Sequence, residues 1–231
     1  GTEGSEGGMD NDAHRVLKWL HIVAMAYCLG GEWGVFNASR QVVNPALSLD
    51  ERRRHMETAY RIDILPRTGI IFLLPLGLHM GWNLGVQPLG GVWLIGMWVF
   101  MVGWFALLMA AFVARGTDLG LRLTKLDEGI RYVLIPVLAA TGIYSLLRGY
   151  PFEADWYATK AALFAGLLII GLLLRYIMRD WVTLFRRIAA EGSTPAVEAK
   201  LTGALATGRR LAYLYWAGII TMAFLGTVKP F

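Results

Sequence analysis

Trp19-Leu20-His21-Ile22-Val23-Ala24-Met25-Ala26-Tyr27-Cys28-Leu29-Gly30-Gly31-Glu32-Trp33-Gly34 is apolar enough to sit in a bilayer, yet it carries an imidazole and a carboxyl group. At 100° per residue, His21, Met25, Cys28 and Glu32 fall within roughly 60° of arc, so one helix face holds all four. Ionisable groups inside a membrane are costly and face a bundle interior, where they mark a functional path. Ala26, Gly30 and Gly34 form a stripe of small residues that predicts close approach of a second helix.

The composition extends this to the whole chain. Of 231 residues, 56% are hydrophobic and only 17% charged, against about 25% charged in an average soluble domain; the mean hydropathy is +0.49. The expected fold class is all-α, a polytopic helical bundle in a lipid bilayer. Six spans are predicted, at 15–38, 64–85, 92–114, 129–148, 156–178 and 210–228. Residues 1–8 read as a flexible linker, and 9–231 as one integral membrane domain. The third span carries no charge and is expected to face lipid. Asp180–Glu191 reads as an amphipathic extension of the fifth span, broken by Gly192-Ser193-Thr194-Pro195.

The net charge of +5 does not point to nucleic acid, because the basic residues lie between spans. Seventeen of the 22 Lys and Arg residues fall in the loops after spans one, three and five. The positive-inside rule makes that side cytoplasmic and places both termini outside, as in a multi-pass protein of a bacterial-type inner membrane. A single cysteine, Cys28, rules out an internal disulfide framework.

His21, His79 and Lys160 then lie at one depth, within roughly 10 Å of the outer boundary at 1.5 Å per residue. Two histidines on antiparallel helices at one level have the placement that axial ligation of a haem b iron requires. His21 and His79 are therefore the candidate metal ligands. Lys160 is the candidate cofactor-binding and catalytic side chain, placed to meet a ring carboxylate. Pro75, four residues before His79, leaves the carbonyl of Ile71 without its usual partner. His14 and His55 lie outside the spans and read as solvated. Met25 and Cys28 are a thin basis for a copper(I) site. Near the basic end, Glu32 and Arg67 are expected to form a structural ion pair, since an unpaired charge there is expensive.

Leu17-Lys18-Trp19-Leu20-His21-Ile22-Val23 resembles the first span of HemJ-type protoporphyrinogen IX oxidases. Asp127–Leu147, with Arg131, Ile135 and Pro136, is similar to that family's second span. Asp155-Trp156-Tyr157-Ala158-Thr159-Lys160 resembles the start of its third span, and Val228-Lys229-Pro230-Phe231 its C-terminal ending. The related blocks are 15–38, 127–178 and 210–231; CopD-like haem-binding membrane families share the first-span pattern. The resemblance implies a haem b within the bundle, with His21 and Lys160 at two functionally important positions. The chain departs from the family in an inserted segment, 39–115, which adds two spans and His79. The leading expectation is a haem b electron-transfer protein, linked to quinone or part of a redox complex with partner subunits. A HemJ-like enzyme of protoporphyrinogen-dehydrogenase type and a CopD-like copper or haem transporter are the alternatives.

Overall fold

The computed structural model describes residues 3–231, with side chains described from residue 11 onward. The described chain is all-helical: α1 (Glu3–Val42), α2 (Leu49–Ile62), α3 (Ile64–Asn83), α4 (Val92–Val113), α5 (Asp118–Arg148), α6 (Asp155–Glu191) and α7 (Pro195–Val228). Five helical segments are long and apolar enough to cross a membrane, with α2 and α3 counted as one. The sixth long helix, α1, is less apolar because His21, Glu32 and its glycines interrupt the hydrophobic run. It starts at Glu3, ahead of the expected first span and within the stretch expected to be a linker.

α1 and α3 meet along the centre of the bundle, and glycines set their separation. A Cβ on Gly69 would lie 2.5 Å from the Ala24 carbonyl oxygen and 2.7 Å from Cys28 Sγ. One on Gly31 would meet Pro66 at 2.3 Å, and one on Gly34 would meet Ile62 at 2.8 Å. The expected stripe is thus partly corrected. Gly34 makes the contact, but Gly30 has open space around it and Ala26 is exposed. Gly31 and Gly69 take their place, because the packed face is rotated by one residue toward Cys28.

α4 buries the smallest share of its apolar window, presenting Val92, Trp93, Ile95 and Val99 outward. Its Met101–Trp104–Leu108–Ala111 stripe is buried, with Trp98 and Phe105 partly buried against the core beside it.

Beyond the apolar belt, the end of α1, α2, the end of α6 and the start of α7 build a second core. Val42, Ala59, Trp181, Phe185, Val197 and Leu201 form its centre. Ser48 and Glu51 make a capping box that starts α2. Gly192, at φ +84°, ends α6, and Thr194 with Pro195 starts α7, as the Gly-Ser-Thr-Pro break predicts. Arg52 clamps this region: Nε donates to the Val42 carbonyl at 2.8 Å, and Nη1 and Nη2 donate to Glu198 at 2.8 and 2.9 Å. Those bonds, with one from Ser193, hold the Glu198 carboxyl below the ordinary carboxylate range. The clamp therefore persists at neutral pH and loosens only as pH falls through that lowered value.

Where the cap meets the membrane belt, Asp127 joins three helices. Trp104 Nε1 of α4 donates to Asp127 Oδ1 at 2.6 Å, Arg175 Nη1 of α6 donates to Oδ2 at 2.6 Å, and Arg131 Nε of α5 donates to Oδ2 at 3.4 Å. Asp127 is 1% exposed, and both arginines are buried. Asp127→Asn keeps the shape but removes the counter-charge of buried Arg131 and leaves buried Arg175 only the more distant Glu128, 3.7 Å away. A loss of about 3–5 kcal/mol is expected, read as a fall in the thermal unfolding midpoint in detergent. An unchanged midpoint would show that Asp127 does not bind the helices together.

Candidate functional site: a lysine-rimmed cavity

At the opposite end of the bundle, α1, α3, α6 and α7 surround a cavity of about 280 Å³, near the lower bound of small-molecule sites. Its walls are apolar, with Ile22, Met25, Leu73, Phe164, Leu167 and Ile219 among them. Loops close this end. Glu153 N donates to the Val86 carbonyl at 3.2 Å, tying the α5–α6 loop to the α3–α4 loop. Buried Gln87 holds the latter through bonds to Leu78 and Leu89.

His21 and Lys160 both line the cavity. His21 Nδ1 is buried and has no hydrogen-bond partner, whereas buried polar groups are ordinarily paired. Its ring lies over Gly77 of α3, where a Cβ would come 3.6 Å from Cε1. Lys160 occupies a niche made by Gly226 of α7, where a Cβ would lie 2.6 Å from Nζ. Trp156 carries two cations, Lys160 Nζ at 5.9 Å and Lys229 Nζ at 5.1 Å from its ring centroid, within cation–π range. Lys18 and Lys229 also line the cavity. Among the described residues, no carboxylate lies within 4.0 Å of Lys18, Lys160 or Lys229. Three uncompensated ammonium groups around one apolar cavity create a field that favours an anion.

His79 is not part of this cavity. Its neighbours Leu78 and Met80 line it, but the His79 ring turns toward α4, where Nδ1 accepts a hydrogen bond from Trp98 Nε1 at 3.1 Å. The two ring centroids are 6.3 Å apart, edge to face. The expected opposition of His21 and His79 is corrected on this point: the two share a depth but not a face. The α3 surface that meets the cavity is the Gly77–Gly81 side, where Tyr157 O–H donates to the Gly77 carbonyl at 3.0 Å. Gly81 leaves room for the Tyr157 ring, which a Cβ would meet at 2.3 Å. His14, expected to be solvated, lines the same cavity. Its spacing from Lys18 and His21, four and then three residues, puts all three on one face of α1. That spacing was the available signal for Lys18 and His14.

The expected Glu32–Arg67 pair is likewise not formed as a direct contact. Arg67 pairs with Asp63, four residues earlier on the continuous α2–α3 path. A local partner at i−4 costs less ordering than one on another helix. Glu32 instead borders a cavity of about 30 Å³ that it shares with Asp63, Arg67, Arg131, Arg175 and Tyr215.

Cys28 Sγ points at the Pro66 carbonyl oxygen, 3.7 Å away, not at a histidine. Among the described residues there is no cluster of three or more His, Cys, Asp or Glu side chains fit to hold a metal ion. These features define an integral membrane helical bundle with one cationic, apolar-walled internal site. Comparison with protein-family models, curated proteins and solved structures finds no match.

Proposed function

We propose that this chain is a haem b-binding membrane oxidoreductase in which His21, and not His79, would hold the group in the cavity. The observation that carries the proposal is the meeting of His21, with its unpartnered buried nitrogen, and uncompensated Lys160 in one apolar cavity. A haem needs an imidazole, apolar walls and cations for its two propionates, and these residues supply all three. His21 would hold the iron. Lys160, with Lys18 and Lys229 at the rim, would hold carboxylates by charge-assisted hydrogen bonds. When bound, the haem supplies a one-electron redox centre.

The position of His79, outside the cavity, bears on the choice between the redox alternatives. A bis-histidine site suits pure electron transfer, whereas a single axial histidine leaves the other face accessible. The geometry therefore favours the enzyme, an oxidase of a reduced tetrapyrrole of protoporphyrinogen-dehydrogenase type, over a passive electron carrier. Such a substrate also carries carboxylates for the lysine rim. The apolar walls exclude water from the ring, and a membrane quinone is the expected electron acceptor. A CopD-like copper role is disfavoured by the direction of Cys28 and the lack of a ligand cluster.

The expected outcome in absorbance spectra of the purified protein, oxidised and reduced, is that His21→Ala loses bound haem. His79→Ala should keep the wild-type spectrum, and Lys160→Ala should bind haem about tenfold more weakly, the value of one charge-assisted hydrogen bond. Haem retained in His21→Ala, or lost in His79→Ala, contradicts the assignment.

The basic end, with 17 of 22 Lys and Arg residues, is assigned to the cytoplasm of a bacterial-type cell and both termini to the outside. Single cysteines placed near residue 12 and within 195–205 should label from opposite sides of the membrane. Background is low because Cys28 is buried. Labelling of both from the same side contradicts this orientation.

A further inference from the structure

Four carboxylates are buried among the described residues, all in the basic half of the bundle, and three of them have a cation. Asp63 has Arg67, Asp127 has Arg131 and Arg175, and Glu128 has Arg175 and Arg179. Glu32 is the exception. It is 8% exposed, yet no basic nitrogen lies within 4.0 Å of its carboxyl among the described residues. It stands instead in the wall between two small cavities. One, of about 30 Å³, opens toward the bundle interior and is bordered by Arg131 and Tyr215. The other, of about 40 Å³, reaches toward the polar cap and is bordered by Ser39 and Arg209. A cavity needs about 10–15 Å³ and two or more polar partners to hold a water, and both meet that requirement. On the interior side, Arg131 Nη2 is buried without a hydrogen-bond partner, an unmet donor for such a water.

We propose that Glu32 is a proton relay between the basic face of the membrane and the bundle interior. Its carboxylate takes a proton from a hydronium ion reaching the Ser39–Arg209 cavity from the basic face, forming one carboxyl O–H bond as a hydronium O–H bond breaks and leaving neutral water. It then gives that proton to water in the Arg131–Tyr215 cavity, forming hydronium there and returning to carboxylate; no electrons move. The groups facing Glu32 are Asp63 and Arg67 from the α2–α3 path, Arg131 from α5, Arg175 from α6, and Tyr215 and Arg209 from α7. Around the interior cavity, the cations Arg67, Arg131, Arg175 and the adjoining Arg179 stand against Asp63, Asp127 and Glu128. Arg209 adds a fifth cation on the cap side, so the surroundings of Glu32 stay cationic whether or not it carries a proton. Leu167 lines both the interior cavity and the lysine-rimmed one, so the relay ends one side chain short of the proposed redox site. The relay itself rests on the basic half alone.

Infrared spectra of the detergent-solubilised full chain, titrated over pH and then transferred to heavy water, test this without reference to haem. A protonated-carboxyl stretch that titrates and shifts promptly in heavy water is expected for the wild type. Glu32→Gln should lose that band, and its fold should survive because Glu32 makes no ion pair. Gly208→Leu, which fills the cap-side cavity where a Cβ has no contact closer than 3.9 Å, should keep the band but slow its exchange at least severalfold. A band that persists in Glu32→Gln, a wild-type band that does not exchange, or exchange unchanged in Gly208→Leu overturns the relay.

Discussion

Asp127 is the contact on which the arrangement of the bundle depends. In hydrocarbon, a buried charge is tolerated only when its partners are supplied from within the protein. Asp127 takes Trp104 from α4, Arg131 from its own helix and Arg175 from α6, while Arg131 also stacks 5.2 Å over the Trp104 ring. Lipid-facing helices gain little from hydrophobic contact with one another. This group of bonds therefore does what a hydrophobic core does in water: it fixes which helices are neighbours and at what height. Once α4, α5 and α6 are locked at the basic end, the far ends of α1, α3, α6 and α7 are free to part around a cavity.

That division of labour gives the two ends of the bundle different chemistry. The basic end is a set of ion pairs with little free space. The other end spends its polar groups on a cavity: among the described residues, His21 Nδ1 has no hydrogen-bond partner and the lysine rim has no carboxylate within 4.0 Å. A protein that only needed stability would pair these groups or replace them. Their unpaired state is the physical reason for assigning a carboxylate-bearing ligand to this site.

The fold class was legible in the sequence because long apolar runs have few alternatives, and the breaks at Gly192–Pro195 and Ser48 carry specific backbone chemistry. Depth was legible too, since counting residues along a helix converts directly into height. His21, His79 and Lys160 do lie at one end, and Glu32, Asp63 and Arg67 at the other. Azimuth was not legible. A small difference in the packed face exchanges Gly30 for Gly31, and Pro75 within α3 obscures the phase of His79. That side chain consequently meets Trp98 instead of the cavity. The Asp63–Arg67 pair was hidden for a related reason. α2 and α3 run on across Asp63, so a residue just outside the expected second span, 64–85, becomes the nearest partner on a helix. Lys18 was visible through its spacing from His14 and His21, and Lys229 as a charge near the end of its helix in the family-like Lys-Pro-Phe ending. Nothing local showed that Trp156 would bring Lys160 and Lys229 together.

The most direct measurement is the haem content of wild-type protein extracted from a haem-producing host and purified in mild detergent. Haem is quantified as its pyridine complex against protein concentration. One haem b per chain is expected, with a spectrum that responds to an added exogenous iron ligand, as the proposed single-histidine site requires. A chain that remains colourless, including after incubation with free haem, contradicts the central claim that the His21–Lys160 cavity is a tetrapyrrole site.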